Sequence, residues 1–268
     1  RLRQQRLRLL FPPLCSCSDF TLLSSHPGGG SGIGRAVCQR FASEGASVVV
    51  ADISEESANE TLGSLQSDLR GQVHTAAVVD VSSKESIKKL LTSLQTRYFQ
   101  PPSVCVNAAG IAQDDFLLNM EEEQFDKVIQ INLKGSFLIT QAVAQALVAC
   151  GAPKGSIITV GSIVGKVGNI GEAGYAASKA GVEGLTRTAA KELSGFGIRC
   201  NCVLPGFITT PMTDKVPEKV VSEIESLVPL GRVGEPAEVA DVCAFLASDD
   251  SQYITGASIE VTGGLFMG

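Results

Sequence analysis

The stretch Gly28-Gly29-Gly30-Ser31-Gly32-Ile33-Gly34 runs directly into a helical pattern, Ile33–Glu44. Glycines in such a turn let the backbone approach a phosphate group, and the helix that follows offers free N–H groups and a positive dipole end. The next strand-like run reaches Asp52, 18 residues after Gly34. Gly28–Gly30 alone is also typical of a flexible linker. The helix and the acid-ended strand behind it favour a nucleotide-binding unit.

Beyond this unit the chain alternates short apolar runs with amphipathic stretches. The predicted strands are Ser47–Ala51, Val73–Val79, Ser103–Val106, Ser156–Val160, Ile198–Leu204 and Ser258–Val261. The predicted helices are Ile33–Glu44, Glu55–Leu69, Lys84–Arg97, Glu121–Val148, Tyr175–Leu193 and Pro236–Ala247. Most strand runs are continuously apolar, as expected for strands covered on both faces. The alternation predicts an α/β fold: one domain with a doubly wound, Rossmann-like parallel sheet.

Composition narrows the class of protein. The net charge of −6 argues against a nucleic-acid binder, and the apolar runs are too short for a transmembrane span. The eight cysteines lack the C-x-x-C pairs and histidine partners of a zinc site, so we predict free thiols and no metal. Thr210–Leu230 contains three prolines, which predicts a less regular segment able to act as a lid over a substrate.

Residues 1–26 differ from the rest of the chain. Four arginines stand against the single acid Asp19, among many leucines and serines, which is typical of a mitochondrial transit peptide. An incorrectly translated start is the alternative. We therefore divide the chain into this segment and a cofactor-binding domain, 27–268. The run from Thr21 to Pro27 has only two strongly apolar residues, so the first strand of the sheet is predicted to be atypical.

Tyr175-Ala176-Ala177-Ser178-Lys179 carries the strongest chemical signal. Residues four apart lie on one face of a helix, so Lys179 places a cation beside the Tyr175 phenol. A nearby cation lowers the pKa of a phenol, which then exchanges a proton with a carbonyl/alcohol pair more readily. Ser162 offers a hydroxyl for the substrate oxygen. An isolated Y-x-x-x-K is more often a solvated helix face, so the case rests on its context.

That context is a set of residues in a familiar order. Asp52, Asp80-Val81, Asn107-Ala108-Ala109-Gly110, Asn132 and Pro205-Gly206 accompany the glycine turn and the tyrosine motif. In these motifs the chain resembles the short-chain dehydrogenase/reductase family, from roughly Gly28 to Gly264. The stretches 132–137, 161–169, 175–186, 203–212 and 253–266 are similar to the branch that acts on 3-hydroxyacyl thioesters and 17-beta-hydroxysteroids.

The resemblance implies a role for each matching residue. Tyr175 would be the acid/base, Lys179 would lower its pKa, Ser162 would orient the substrate carbonyl, and Asn132 would hold a water in a proton relay. Asn132 bonded to nearby backbone is the alternative. The implied substrate residues are Ser162 and Tyr175. The implied cofactor-binding residues are Gly28, Gly32, Ile33, Gly34, Asp52, Ile53, Asp80, Val81, Asn107, Ala108, Gly110, Tyr175, Lys179, Pro205, Gly206, Ile208, Thr209 and Thr210.

The choice of cofactor rests on Asp52. A carboxylate there accepts both ribose hydroxyls of an adenosine and repels a 2′-phosphate, and Gly29–Ser31 supplies no basic partner for that phosphate. This favours NAD over NADP. The alternative is that Asp52 or Ser54 merely caps the next helix.

The resemblance implies an NAD-dependent oxidoreductase that interconverts a secondary alcohol and a ketone in mitochondrial lipid metabolism, as a homo- or heterotetramer in the matrix. Pro153 and Phe196 stand where we would place basic residues for carrier-protein docking, which favours acyl-CoA or steroid substrates. Neither His26 nor His74 lies near Ser162 in sequence, which disfavours a Ser-His-Asp hydrolase. The alternative function is a non-catalytic, cofactor-binding scaffold subunit, suggested by the atypical first strand.

Overall fold

A parallel sheet with helices on both faces forms the protein. The computed structural model describes the backbone of residues 20–25 and, in full, residues 32–65, 71–152, 154–211, 213 and 217–268. The strands are β1 (Phe20–Ser25), β2 (Ser47–Asp52), β3 (Thr75–Val78), β4 (Val104–Asn107), β5 (Gly155–Val160), β6 (Ile198–Pro205) and β7 (Ser258–Val261). All pair in parallel in the order β3-β2-β1-β4-β5-β6-β7. The predicted α/β fold is confirmed.

The helices follow the predicted pattern with two additions. They are α1 (Gly32–Ser43), α2 (Glu55–Ser64), α3 (Lys84–Tyr98), α4 (Glu122–Val128), α5 (Ser136–Ala149), α6 (Val164–Val167), α7 (Ala173–Leu193), α8 (Glu218–Leu227) and α9 (Pro236–Ala247). A π-helical segment, Ile129–Gly135, joins α4 to α5. The prediction that Thr210–Leu230 is irregular is wrong in part, because the segment contains α8. The apolar residues Val220, Ile224 and Leu227 of α8 recur at helical spacing.

The first strand, predicted to be atypical, forms in the structure. Phe20–Ser25 pairs with β2 on one side and β4 on the other, at the centre of the sheet. It begins before the predicted domain boundary at residue 27. Two serines in this strand do not prevent its formation, because a central parallel strand satisfies its backbone N–H and C=O groups on both sides whatever its side chains.

Two hydrophobic cores lie on opposite faces of the sheet, and β2 shows why. Val49 belongs to the core that includes Ile139 and Ile157, whereas Val48 belongs to the core that includes Phe41 and Val239. Successive side chains of a strand point to opposite faces. Burial of both sets explains the continuously apolar strands and fixes the register of the sheet.

Candidate active site

The carboxyl ends of the strands gather the predicted site residues at one edge of the sheet. β2 ends at Asp52, β4 at Asn107 and β6 at Pro205, and the loop after β5 carries Ser162. In a doubly wound sheet the ligand crevice lies at this edge, where the strand order reverses between β1 and β4.

The hydroxyl groups of Ser162 and Tyr175 meet at this edge. Tyr175 stands in the first turn of α7, and the Ser162 hydroxyl donates a hydrogen bond to the phenol oxygen, which lowers the pKa of Tyr175. The Ser162 Oγ also accepts a hydrogen bond from the backbone N–H of Val164, 3.2 Å away. A donor and a proton-exchanging phenol thus lie side by side, as binding of one carbonyl oxygen requires.

Burial has a larger effect on the pKa of Tyr175 than Ser162 has. It raises the pKa of Tyr175 to about 12, against the hydrogen bond from Ser162, and the carboxylates of Glu172 and Asp114 raise the pKa further. The lowering of the Tyr175 pKa by Lys179 stays a prediction, and burial acts in the opposite direction. Desolvation of a phenolate disfavours its charge more than the surrounding groups stabilise it.

Lys179 is buried behind the tyrosine. Its Nζ lies 5.5 Å from the centre of the Tyr175 ring and donates a hydrogen bond to the carbonyl oxygen of Val160, 2.8 Å away. Burial lowers the pKa of Lys179 to about 8. The one-turn spacing of Tyr175 and Lys179 therefore does place both groups on one face, as predicted.

Asn132 lies in the π-helical segment, and its side chain is buried. The Oδ1 accepts from the Ile111 N–H, and the Nδ2 donates to the Ile111 carbonyl, both at 2.9 Å. The Nδ2 also donates to the Ser178 Oγ at 3.1 Å. The alternative considered above, bonding to backbone, is what this amide does. π-helical turns occur often at functional sites, and this one turns Asn132 toward the loop after β4.

Gly110 brings three of the predicted residues together. A Cβ atom at Gly110 would lie 3.4 Å from the Lys179 Nζ and 3.5 Å from the Asn132 Oδ1. The loop after β4 therefore passes directly over the lysine and the asparagine. The neighbouring Asn107 is buried, and its Oδ1 accepts from the Ala109 N–H at 3.4 Å, beside Ala108.

At the end of β2, Asp52 is buried and its Oδ1 accepts a hydrogen bond from the Ser54 N–H at 2.8 Å. Ser54 caps α2, because its Oγ accepts from the Ser57 N–H at 3.2 Å. The capping alternative thus holds for Ser54 and not for Asp52. Ile53, between them, is 38% exposed.

The glycine-rich turn meets the segment after β6. Gly32 has a φ of +60°, and a Cβ atom there would lie 3.1 Å from the Thr210 Cγ2. A side chain at this position would be strained and crowded, which explains the glycine. Ile33 packs against a core, and Gly34 is buried in α1. Gly28 lies outside the described residues.

The segment after β6 is held on both sides. The Pro205 carbonyl accepts from the Ile163 N–H at 3.0 Å, and the Gly206 N–H donates to the Val261 carbonyl at 2.9 Å. The Thr209 N–H donates to Gly234, and Ile208 is buried. A cavity of about 440 Å³ extends from Ile208 toward Phe266 and Met267, but neither Tyr175 nor Ser162 lines it.

Asp80 and Val81 follow β3. The Asp80 Oδ1 accepts from the Ser82 N–H at 2.8 Å and from the Ser82 hydroxyl at 2.7 Å. Val81 is buried against Gly135, where a Cβ atom would lie 2.9 Å from the Val81 Cγ2. In the structure the Asp80 carboxylate shapes its own turn, so the adenine contact implied by the resemblance stays a prediction.

Two acids that act on the pKa of Tyr175, Glu172 and Asp114, were not predicted from the sequence. Asp115 forms an isolated parallel bridge with Glu172, and the Asp115 N–H donates to the Gly171 carbonyl at 2.9 Å. Burial raises the pKa values of Glu172 and Asp114. Glu172 precedes Tyr175 by three residues, a helical spacing that would have predicted this proximity.

The arrangement fits a dinucleotide with a nicotinamide ring. At Gly32 a side chain would be strained and would crowd Thr210, so the turn that opens α1 keeps bare backbone. Asp52 supplies a buried acid at the end of β2, and Lys179 supplies an ammonium beside the tyrosine. No group of three or more His, Cys, Asp or Glu side chains within the described ranges could hold a metal.

Comparisons with known proteins give the class. A family model described as Enoyl-(Acyl carrier protein) reductase matches residues 28–266. The chain is 58% identical over 246 residues to (3R)-3-hydroxyacyl-CoA dehydrogenase of Rattus norvegicus, covering 90% of this chain and 94% of the relative. It is 47% identical over 238 residues to a 3-oxoacyl-[acyl-carrier-protein] reductase of Thermotoga maritima, covering 89% and 95%. Estradiol 17-beta-dehydrogenase 8 of Callithrix jacchus is 66% identical over 134 residues, covering 50% of this chain and 99% of that sequence.

Fold, site and comparisons agree on an oxidoreductase that uses a nicotinamide cofactor. The chain belongs to the short-chain dehydrogenase/reductase family. Among the helices that the structure describes, none has the length and apolar character needed to cross a membrane.

Proposed function

We propose that the protein is an NAD-dependent dehydrogenase that interconverts a secondary alcohol and a ketone, with (3R)-3-hydroxyacyl-CoA thioesters as its main substrates and 17-beta-hydroxysteroids such as estradiol as further ones. The observation that carries the proposal is the placement of Tyr175 over the buried ammonium of Lys179, 5.5 Å from the ring centre, at the sheet edge that also carries Ser162.

Tyr175 exchanges the proton. In reduction its phenol donates a proton to the carbonyl oxygen, and in oxidation it takes the proton back from the alcohol. Ser162 donates a second hydrogen bond to the same oxygen and fixes its position. The low pKa of Lys179, about 8, lets this group change charge near neutral pH and so supply or accept the proton behind Tyr175.

The cofactor when bound accepts or supplies the hydride. Asp52, Ile53 and the start of α1 would hold its adenosine and phosphates, and Lys179 with Ile208–Thr210 would hold its nicotinamide riboside. The burial of Asp52, with Ser54 taking the capping role, supports a carboxylate that receives ribose hydroxyls. A 2′-phosphate would meet this negative charge, so NAD is preferred over NADP.

The substrate class is supported by the relatives. The rat protein named for (3R)-3-hydroxyacyl-CoA covers nearly the whole chain, whereas the estradiol dehydrogenase matches half of it. Phe196 is 53% exposed and offers no charge to an acidic carrier protein. Acyl-CoA thus fits better than a carrier-bound acyl group.

The proposal also covers the oligomeric state of the protein and its location in the cell. Phe125 and Phe137, on α4 and α5, are 37% and 42% exposed, which supports burial of this surface in a homo- or heterotetramer. The arginine-rich composition of residues 1–26 supports the mitochondrial matrix. The scaffold alternative was suggested by the atypical first strand. Because β1 is paired within the sheet, that reason no longer supports it.

The test is a fluorescence titration with NADH, followed by turnover of 3-hydroxybutyryl-CoA and of estradiol with NAD and with NADP. We expect NADH binding, turnover of the thioester and a higher kcat/KM with NAD. NADH binding without turnover of either substrate would contradict the proposed activity and support a cofactor-binding subunit instead. Turnover with NADP at least as efficient as with NAD would contradict the cofactor assignment alone.

A further inference from the structure

The position of the Ser162 hydroxyl depends on the short helix α6. The first N–H of α6, that of Val164, donates to the Ser162 Oγ at 3.2 Å. A displacement of α6 would therefore move or release the hydroxyl that faces Tyr175. Four residues are too few for a helix to be stable by itself, and none of the four is buried. Something outside α6 must hold it.

One attachment is the backbone of α7. A Cβ atom at Gly165 would lie 2.7 Å from the Ala180 N and 2.8 Å from the Lys179 C. The two helices therefore touch backbone to backbone, one residue from the lysine of the site. This contact fixes the distance between α6 and α7, but it supplies no directional bond that would stop α6 from sliding.

The N-cap residue of α6 is bonded to the end of β6, because the Ile163 N–H donates to the Pro205 carbonyl at 3.0 Å. Within α6 itself, the directional attachment by a side chain is Lys166. Its Nζ forms an ion pair with the Glu260 Oε1 at 2.6 Å, and the two side chains are only 26% and 18% exposed. The same ammonium lies 5.6 Å from the centre of the Phe266 ring and 3.5 Å from the Gly268 carbonyl oxygen. A partly desolvated, hydrogen-bonded pair of this kind is stronger than a surface ion pair. It joins α6 to β7 and to the chain after it.

Relying on the proposed function, we propose that Lys166 is a positioning residue: its ion pair with Glu260 holds α6, whose first N–H fixes the Ser162 hydroxyl at the site. Lys166 itself touches neither hydroxyl, since its Nζ is directed to Glu260 and Phe266. It acts through Val164 and Ser162. The proposal thus adds a residue on the far side of α6 to the machinery of the site.

A double-mutant cycle tests this, using the full-length protein and the substrate that the parent turns over. Lys166→Met is made alone and together with Ser162→Ala, and Lys154→Met serves as the control. Lys154 forms a 2.9 Å ion pair with Asp249, but both side chains are at least half exposed. We expect Lys166→Met to lower kcat about tenfold in the parent, with the KM for NAD unchanged, and to have no further effect in the Ser162→Ala background. Lys154→Met should match the parent.

Two more variants separate positioning from loss of folding. Glu260→Gln should repeat the loss of kcat, and Lys166→Arg should restore most of it, because an arginine keeps the charge and the bond to Glu260. An unchanged kcat for Lys166→Met, or an equal loss with and without Ser162, would overturn the proposal.

Hydrogen exchange distinguishes this failure from failure of the proposed function. In Lys166→Met the amides of 164–168 should exchange at least about tenfold faster than in the parent, while those of α7 remain protected. This result is expected even if the parent turns over neither substrate. Unchanged exchange at 164–168 would overturn the proposal independently of any activity.

Discussion

The Nζ of Lys179 donates a 2.8 Å hydrogen bond to the carbonyl oxygen of Val160, the last residue of β5. Val160 stands two residues before Ser162, so the lysine of α7 is tied to the strand that carries the serine. Lys179 is only 4% exposed, and burial lowers its pKa to about 8. The bond orients the lysine at the site, and burial brings its ionisation toward neutral pH.

The first prediction concerns stability and pH. Between pH 8 and 10.5 the folded protein releases the Lys179 proton while the unfolded chain keeps it, so the free energy of unfolding should rise with pH on account of this group. Lys179→Met removes that contribution. The difference between parent and variant should grow in favour of the parent by roughly 2–3 kcal/mol from pH 7 to pH 10.

Urea unfolding at several pH values measures this difference. Burial also raises the pKa values of Cys38, Cys105, Cys200, Cys202 and Cys243 to about 12, which destabilises the fold above pH 9. These contributions cancel between parent and variant except that of Cys202, whose pKa Lys179 lowers. A difference that stays constant with pH would show that Lys179 titrates normally in the folded protein.

The second prediction concerns Glu172. Its carboxylate raises the pKa of Tyr175, so Glu172→Gln should lower that pKa. In ketone reduction, where the protonated phenol is the acid, the alkaline limb of the kcat/KM profile should therefore move to lower pH. The amide oxygen can still accept from Asn169, whose Nδ2 lies 2.6 Å from the Glu172 Oε1. Glu192→Gln, at the exposed end of the same helix, is the control and should leave the profile unchanged. A shift to higher pH would refute the assigned sign.

The third prediction concerns Gly165. In Gly165→Ala the new Cβ would meet the backbone of α7, so we expect a loss of roughly 1–3 kcal/mol in the free energy of unfolding and a lower kcat. Gly184→Ala is the matched control. Gly184 lies in α7, and a Cβ atom there would have no other atom within 4 Å. Alanine there should stabilise the helix by up to about 1 kcal/mol. Thermal melts that rank the two variants equally would contradict this packing.

Much of this architecture follows from sequence pattern. The continuous apolar runs of β2, β5 and β6 predict buried parallel strands because each face of the sheet has its own core. Helix α8 was not predicted, since prolines on both sides of it suggested an irregular segment. The first strand was predicted to be atypical because the run Thr21–Pro27 has few apolar residues, whereas its formation depends on backbone pairing with β2 and β4, which come later in the chain.

At the site, helical spacing predicted that Tyr175 and Lys179 share one face. It did not predict the direction of the Tyr175 pKa, which depends on burial created by distant segments. The amide of Asn132 bonds to Ile111, a residue 21 positions earlier, which no local pattern predicts. Local spacing identified the functional side chains, whereas their burial and their hydrogen-bond partners are known only from the folded structure.

The fourth prediction concerns the cofactor. Asp52→Ala combined with Ile53→Arg should relax the preference for NAD, because a buried carboxylate is removed and a half-exposed position gains a partner for a 2′-phosphate. Ile53→Arg alone, with Asp52 in place, is the control and should keep the preference. The ratio of kcat/KM with NAD to that with NADP is the readout. A ratio unchanged in the double variant would mean that Asp52 does not select the cofactor.

The central claim is that Tyr175 exchanges the proton, and Tyr175→Phe tests it most directly because only the hydroxyl is removed. The measurement is kcat for the alcohol substrate at saturating NAD, with NADH affinity determined on the same preparation. We predict a loss of about 10²–10⁴ in kcat with nearly unchanged NADH affinity. Turnover close to that of the parent, with the cofactor bound normally, would contradict the assignment.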